Sequence, residues 1–164
     1  MTLIVRGQRL DCGGRSFACV IGRGGFALTK KEGDGATPVG VFPLRRLYYR
    51  ADRLAAPATG LPRQPLQPDD GWCDAPGDSA YNRPVRHPYP APAEHLWRDD
   101  GVYDLIVVIG HNDRPVIAGA GSAIFLHCAR PDRRPTEGCI ALARDDLLSV
   151  LEFCDTKTSI DIGS

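Results

Sequence analysis

The stretch "YDLIVVIG", Tyr103–Gly110, followed at once by "HND" and then "RPVIAG", decides the fold class. A continuous apolar run this short and this rich in Ile and Val reads as a strand covered on both faces. Asn112 and Asp113 supply a turn signal, so the run is expected to return through "RPVIAG" as a central hairpin. The next apolar run, "SAIFLHC", Ser122–Cys128, reads as a further strand buried on both faces.

The same signal recurs outward in both directions. "TLIVR", "SFACVI" and the closing "TSIDIG" read as strands, and "VGVFPLRRLYY" as a longer one in which Pro43 predicts an edge position or a bulge. Fourteen prolines and eighteen glycines break the chain into pieces too short for most helices. One helix is expected, over "RDDLLSVLEFC": Leu147, Leu148, Leu151 and Cys154 share a face, and Asp145 and Asp146 sit in the first turn, where the macrodipole favours negative charge. The expected fold is mostly β, with one C-terminal helix. Residues 50–101 carry nine prolines and little periodicity, and read as a long irregular cap over the sheet. Its aromatics, Trp72, Tyr81, Tyr89 and Trp97, either pin the cap down or line a cleft.

At 164 residues the chain has the length of one domain, taken here as 1–164 with the cap as an insertion. Twenty basic and twenty acidic side chains cancel without a block of one sign, which argues against a nucleic-acid or anionic-membrane footprint. No window reaches the roughly 18 apolar residues of a membrane span, and "MTLIVRGQRL" has no small-residue cleavage site; read alone, the sequence is that of a cytoplasmic protein. Six cysteines occur without a C-x-x-C. Cys12 and Cys19 flank a short hairpin, compatible with a cross-strand disulfide in an oxidising compartment or with two buried thiols.

Chemistry concentrates in "FLHCARPDRRPTEGCIAL", Phe125–Leu142. Side chains alternate along a strand, so His127 and Cys128 point to opposite faces, and Cys128 falls on the side of Ile124 and Leu126 as a small core residue. Cys139 lies twelve residues beyond His127, after a loop and before the short strand "IAL", which places the two at adjacent strand ends. An imidazole within reach of a thiol accepts its proton and leaves a thiolate–imidazolium pair. Gly138 allows close backbone approach, and amide groups beside Cys139, those of Gly138 and Ile140, are expected to cradle an oxyanion. A zinc site drawn from His111, His127, Cys128 and Cys139 is the rival; it lacks the close ligand pairs that zinc sites use, and neither metal nor cofactor is expected.

These residues resemble the L,D-transpeptidase catalytic domain, or YkuD-type, family. Its strand-end histidine, loop and Ser/Thr-His-Gly-Cys turn correspond to His127 and Thr136-Glu137-Gly138-Cys139, and its Thr-Pro-x-Gly-x-Phe stretch is intact as "TPVGVF", Thr37–Phe42. The resemblance implies an L,D-transpeptidase-like β-sandwich and a cysteine acyl-transferase acting on peptidoglycan stem peptides or muropeptides. Cys139 would attack the carbonyl at the L-centre of a diamino acid, expel D-alanine and form a thioester, with His127 as general base beside an orienting backbone carbonyl. An amine or water would then resolve the thioester. A periplasmic or cell-envelope location follows from the same resemblance. Two positions depart from the pattern and define a divergent subgroup. Glu137 replaces the turn histidine and places a carboxylate near the thiol, and Ala141 replaces an arginine whose task falls to Arg130, Arg133, Arg134 or Arg144. Thr136, Glu137, Tyr81, Glu94, His95 and Trp97 are the expected substrate-binding residues, against a reading of the cap residues as packing; His111 either faces the site or serves the turn. L,D-carboxypeptidase, endopeptidase or amidase action on the same scaffold, or a catalytically retired peptide-binding domain, are the alternatives.

Overall fold

A computed structural model describes all of residues 1–164. The strands are β1 (Thr2–Arg6), β2 (Arg9–Cys12), β3 (Arg15–Val20), β4 (Phe26–Ala27), β5 (Thr37–Pro38), β6 (Gly40–Tyr49), β7 (Arg63–Pro65), β8 (Asp70–Cys73), β9 (Pro84–Arg86), β10 (Ala93–His95), β11 (Leu105–Ile109), β12 (Phe125–Cys128), β13 (Ile140–Leu142) and β14 (Ser159–Gly163), with helix α1 (Arg144–Leu151) between the last two. The protein is mostly β with one helix.

Nine strands form one sheet in the order β11-β12-β13-β3-β2-β1-β14-β6-β7, and β11 also pairs with β6. That second pairing closes the sheet on itself, because β6 meets β14 through residues 40–43 and β11 through residues 44–49. Inside lies one apolar cluster drawn from β1, β2, β3, β6, β11, β12, β13, β14 and α1. The alternation in β1 and β14, with every second residue buried, is that of strands with one wet face. β11, β12 and β13 are buried throughout. A second cluster, with Trp72, Leu66 and Leu96 from the cap set on Ile106, Val108 and Phe125, covers their outer face. Trp72 meets Phe125 edge-on with centroids 5.1 Å apart, a geometry that adds about 1 kcal/mol to the area buried.

The central hairpin forms with a different partner. β11 pairs antiparallel with β12, Val107 opposite Leu126, and residues 114–119 form no strand. Asn112, at φ 50°, donates through Nδ2 to the carbonyls of Ile117 (3.0 Å) and Gly121 (2.9 Å) and accepts the Ile117 N–H through Oδ1 (2.8 Å). Those bonds fold residues 112–121 into a local loop and leave Ile117 in solvent. Pro43 is not on an edge, since β6 lies between β14 and β11; the bulge is real, with Leu44–Leu47 opposite Val107–Ile109.

The cap is more regular than its composition indicates: β8, β9 and β10 make a three-stranded sheet, and β7 extends the main one. Its aromatics mainly pin it. Trp72 Nε1 donates to Asn82 Oδ1 (3.0 Å), Arg50 stacks over Trp97 at 3.6 Å, and Tyr89 donates to Asp78 (2.7 Å). In the β2–β3 hairpin Cys12 sits opposite Arg15, and all six cysteines are free thiols. On α1 the buried residues are Leu147, Val150 and Leu151, with Cys154 buried just beyond; Val150 takes the place expected for Leu148.

Candidate active site

β12 and β13 run parallel, with Leu126 opposite Ile140, His127 opposite Ala141 and Cys128 opposite Leu142. Residues level in a parallel pair share a face, so His127 and Ala141 lie on the outer face, as do Phe125 and Cys139 one step back along each strand. Leu126, Cys128, Ile140 and Leu142 point into the main core. Alternation thus separates Cys128 from His127, and burial raises the Cys128 pKa to about 11.

The turn before β13 is held from several sides. The Thr136 hydroxyl donates to the Cys139 carbonyl (2.6 Å) and accepts the Gly138 N–H (3.1 Å). Thr37, fully buried, donates to the Gly138 carbonyl (2.9 Å) and accepts the Gly22 N–H (2.9 Å). Gly138 has φ 136°, and a Cβ there would lie 2.8 Å from the Ala36 carbonyl oxygen, so only glycine fits the turn.

Cys139 is 8% exposed. Its Sγ accepts the Phe125 N–H (3.4 Å) and donates to the Ala123 carbonyl (3.1 Å). Ala123 adopts a left-handed φ of 53°, a conformation that costs an alanine roughly 1 kcal/mol and that aims its carbonyl at the sulfur; its N–H is held by Asn82 Oδ1 (3.1 Å). Burial first, then the Glu94 charge, push the Cys139 thiol up to about 12.

His127 is buried, and its Nδ1 lies 2.9 Å from the Cys128 carbonyl. A carbonyl only accepts, so Nδ1 carries the proton and Nε2 keeps its lone pair. Burial lowers the His127 pKa to about 4, opposed by that hydrogen bond and aided by Arg98 and Arg130. Both shifts favour a neutral thiol and a neutral imidazole at rest. The Tyr103 ring meets His127 edge-on at 5.3 Å, and its hydroxyl donates to Glu94.

Both side chains line a cleft of about 590 Å³. Glu32, Asp74 and Glu94 lie in its walls, as do Arg98, Arg130 and Arg134, with Thr136, Glu137 and Ala141 beside the cysteine. Of the expected substrate-binding residues, Glu94, Thr136 and Glu137 reach the cleft. His95, Trp97 and Tyr81 do not. On β10 Glu94 pairs with Trp72 and His95 with Gly71, so His95 faces the other way and stacks on His87 at 3.7 Å. Trp97 lies under Arg50, and Tyr81 is one layer back, donating to Glu32 (2.7 Å). Glu137 turns to solvent and pairs with Arg23 (2.8 Å), away from the thiol it was expected to oppose. Of the amide groups around the cysteine, Gly138 N–H is taken by Thr136, whereas Cys139 N–H has no partner in the chain. Arg130 and Arg134 reach the cleft near Ala141; Arg133 does not, and Arg144 pairs with Asp104 (3.3 Å). Tyr103, Arg98, Ala123 and Glu32 went unread, although "AEH" read as a strand by alternation separates Glu94 from His95.

The zinc set is split, with Cys128 in the core and His111 against Phe42 at 5.3 Å. No group of three or more His, Cys, Asp or Glu side chains is arranged to hold a metal ion. No helix is long and apolar enough to cross a membrane.

A histidine and a cysteine on neighbouring parallel strand ends, held beneath a proline-rich cap, define a cysteine-site cleft on a closed β-sheet. The family model of the L,D-transpeptidase catalytic domain, YkuD, matches residues 1–162, and the chain belongs to that family of cell-wall enzymes. No curated protein and no solved structure matches the chain.

Proposed function

We propose that the protein is a cysteine acyl-transferase acting on peptidoglycan stem peptides in the cell envelope, with Cys139 as nucleophile and His127 as general base. The tautomer of His127 carries this reading: the Cys128 carbonyl fixes the proton on Nδ1 and leaves Nε2 as the base in the cleft that holds Cys139. As the sulfur attacks the carbonyl at the L-centre of the stem-peptide diamino acid, its proton passes to Nε2. The oxyanion forms against the unpaired Cys139 N–H. Collapse transfers the proton from Nε2 to the departing D-alanine nitrogen and leaves a thioester on Cys139.

Burial raises the Cys139 thiol and lowers the His127 imidazole, both of which disfavour a preformed ion pair, so in this reading the proton moves as the sulfur attacks. Attack requires the sulfur to exchange its Ala123 carbonyl contact for the substrate carbonyl carbon. Arg130 and Arg134, lying beside Ala141 where relatives carry an arginine, supply positive charge for a substrate carboxylate. The reading is tested by D-alanine release from a disaccharide-tetrapeptide. Release by the native chain that is lost in both Cys139→Ser and His127→Asn supports it. Release that persists in Cys139→Ser contradicts it. Cross-linked dimer among the products marks a transferase, and tripeptide alone an L,D-carboxypeptidase.

A further inference from the structure

Most acidic side chains near an arginine in this protein are paired with it, yet Glu32, Asp74 and Glu94 face the cleft with no ion pair. Arg98, which lines the same cleft, is committed to Asp100, with Nε to Oδ1 at 3.1 Å. Glu94 instead accepts a hydrogen bond from Tyr103, whose ring rests edge-on against the His127 imidazole. β10 aims Glu94 inward from the cap, while β12 carries His127, and the turn into β13 carries Cys139, on the sheet below. A carboxylate thus stands across the cleft from the thiol, held by a neutral donor and in no ion pair; the Arg98 guanidinium, tied to Asp100, acts on it only through space.

The chemistry proposed above leaves one task unassigned. A thioester on Cys139 is resolved to an amide by a free amine, but an aliphatic amine reaches the site as an ammonium ion, which has no lone pair. His127 is poorly placed to receive that ion, because Arg98 and Arg130 add positive potential to its surroundings. We infer that Glu94, oriented by Tyr103, binds the ammonium group of the acceptor and takes its proton, making it the acceptor-side catalytic residue. The inference rests on the acyl-transfer reading of Cys139.

The step balances without any further reactant. Glu94 carboxylate takes one proton from the ammonium and becomes a carboxylic acid. The freed nitrogen lone pair attacks the thioester carbonyl, and the nitrogen of the tetrahedral adduct gives its second proton to His127 Nε2. The C–S bond breaks, the sulfur leaves with the electron pair, and it takes that proton back from His127. Glu94 then releases its proton to water. Burial that raises the Glu94 pKa narrows the gap to the ammonium and favours the transfer.

Glu94→Gln separates the two half-reactions, since Gln still accepts the Tyr103 hydrogen bond. With a disaccharide-tetrapeptide as both donor and acceptor at pH 7, the variant is expected to form the acyl-enzyme faster than the native chain, because a negative charge beside the thiol is gone. Cross-linked dimer formation is expected to fall about 100-fold, the usual scale of a lost general base. Hydroxylamine, which is uncharged at pH 7, needs no such base, and its capture of the acyl group is expected to stay within about 3-fold of native, well inside that scale. Cross-linking and hydroxylamine capture that fall together, or cross-linking that is unchanged, overturn the role of Glu94. A native chain that acylates but passes the acyl group only to water overturns it as well. A native chain that forms no acyl-enzyme overturns the reading of Cys139, and the inference with it.

Discussion

Replacing Thr37 by valine keeps the shape of a fully buried side chain and removes one hydroxyl that makes two buried hydrogen bonds, to the Gly138 carbonyl and from the Gly22 N–H, both at 2.9 Å. Each buried group left unpaired costs about 1–3 kcal/mol, so Thr37→Val is expected to lose roughly 2–4 kcal/mol after some relaxation. At a urea m-value of about 2 kcal/mol/M, the middle of the range for small proteins, the midpoint falls by about 1–2 M with the slope unchanged. Thr37→Ser is the control. It keeps the hydroxyl and removes one methyl group, costing about 1 kcal/mol. Because Gly138 precedes Cys139, the proposed nucleophile, the same change loosens that residue, and D-alanine release is expected to drop by about 10- to 100-fold, the scale of an ångström-level misplacement. Urea unfolding of the three chains, followed by circular dichroism, measures the first effect. A valine variant as stable as the serine variant would refute the argument that this hydroxyl ties the Thr136–Cys139 turn to β5.

Other expectations follow from the site. His127 has a folded pKa of about 4 against an ordinary value of 6.5, so its contribution is complete above pH 6.5 and is lost as pH falls to 4. The gap corresponds to about 3 kcal/mol, with His111 adding in the same direction. Urea midpoints that stay flat between pH 7 and 4.5 would contradict it. Cys139 is raised to about 12, so alkylation by iodoacetamide is expected to be slow at pH 8 and to climb with pH past 10; a rate plateau near neutrality would show a preformed thiolate. Cys128→Ala is expected to keep D-alanine release and to cost about 1 kcal/mol in urea unfolding, whereas a folded variant without activity would mean that the wrong thiol was chosen.

The sheet was legible where apolar runs are long or alternate strictly, as in "TLIVR", "SFACV", "DLIVVI" and "SIDI", because burial on one or both faces leaves a direct imprint on residue type. The partner of β11 was not. A turn at Asn112 was correctly placed, but its side chain bonds to Ile117 and Gly121 and keeps the following residues out of the sheet, which no periodicity records. The cap sheet escaped for another reason: β8, β9 and β10 are three or four residues long and separated by proline-containing segments, so no hydrophobic period builds up.

The placement of the cysteines was legible, because strand alternation sends Cys128 into the core and leaves His127 and Cys139 on the face that lines the cleft. Their protonation states were not. A depressed thiol pKa is the natural expectation for a Cys–His pair, whereas burial beneath the cap, with Glu94 across the cleft, acts in the opposite direction. Glu94 and Tyr103 meet through tertiary packing of the cap on β12, a contact with no local sequence pattern.

The measurement that most directly tests Cys139 as the nucleophile is intact-protein mass spectrometry of the native chain and Cys139→Ala after incubation with a disaccharide-tetrapeptide, followed by peptide mapping. The expected result is a mass increase equal to the donor minus D-alanine, labile to hydroxylamine, mapped to Cys139 and absent from the alanine variant. An adduct on another residue, or D-alanine release that survives in Cys139→Ala, would contradict the proposed mechanism.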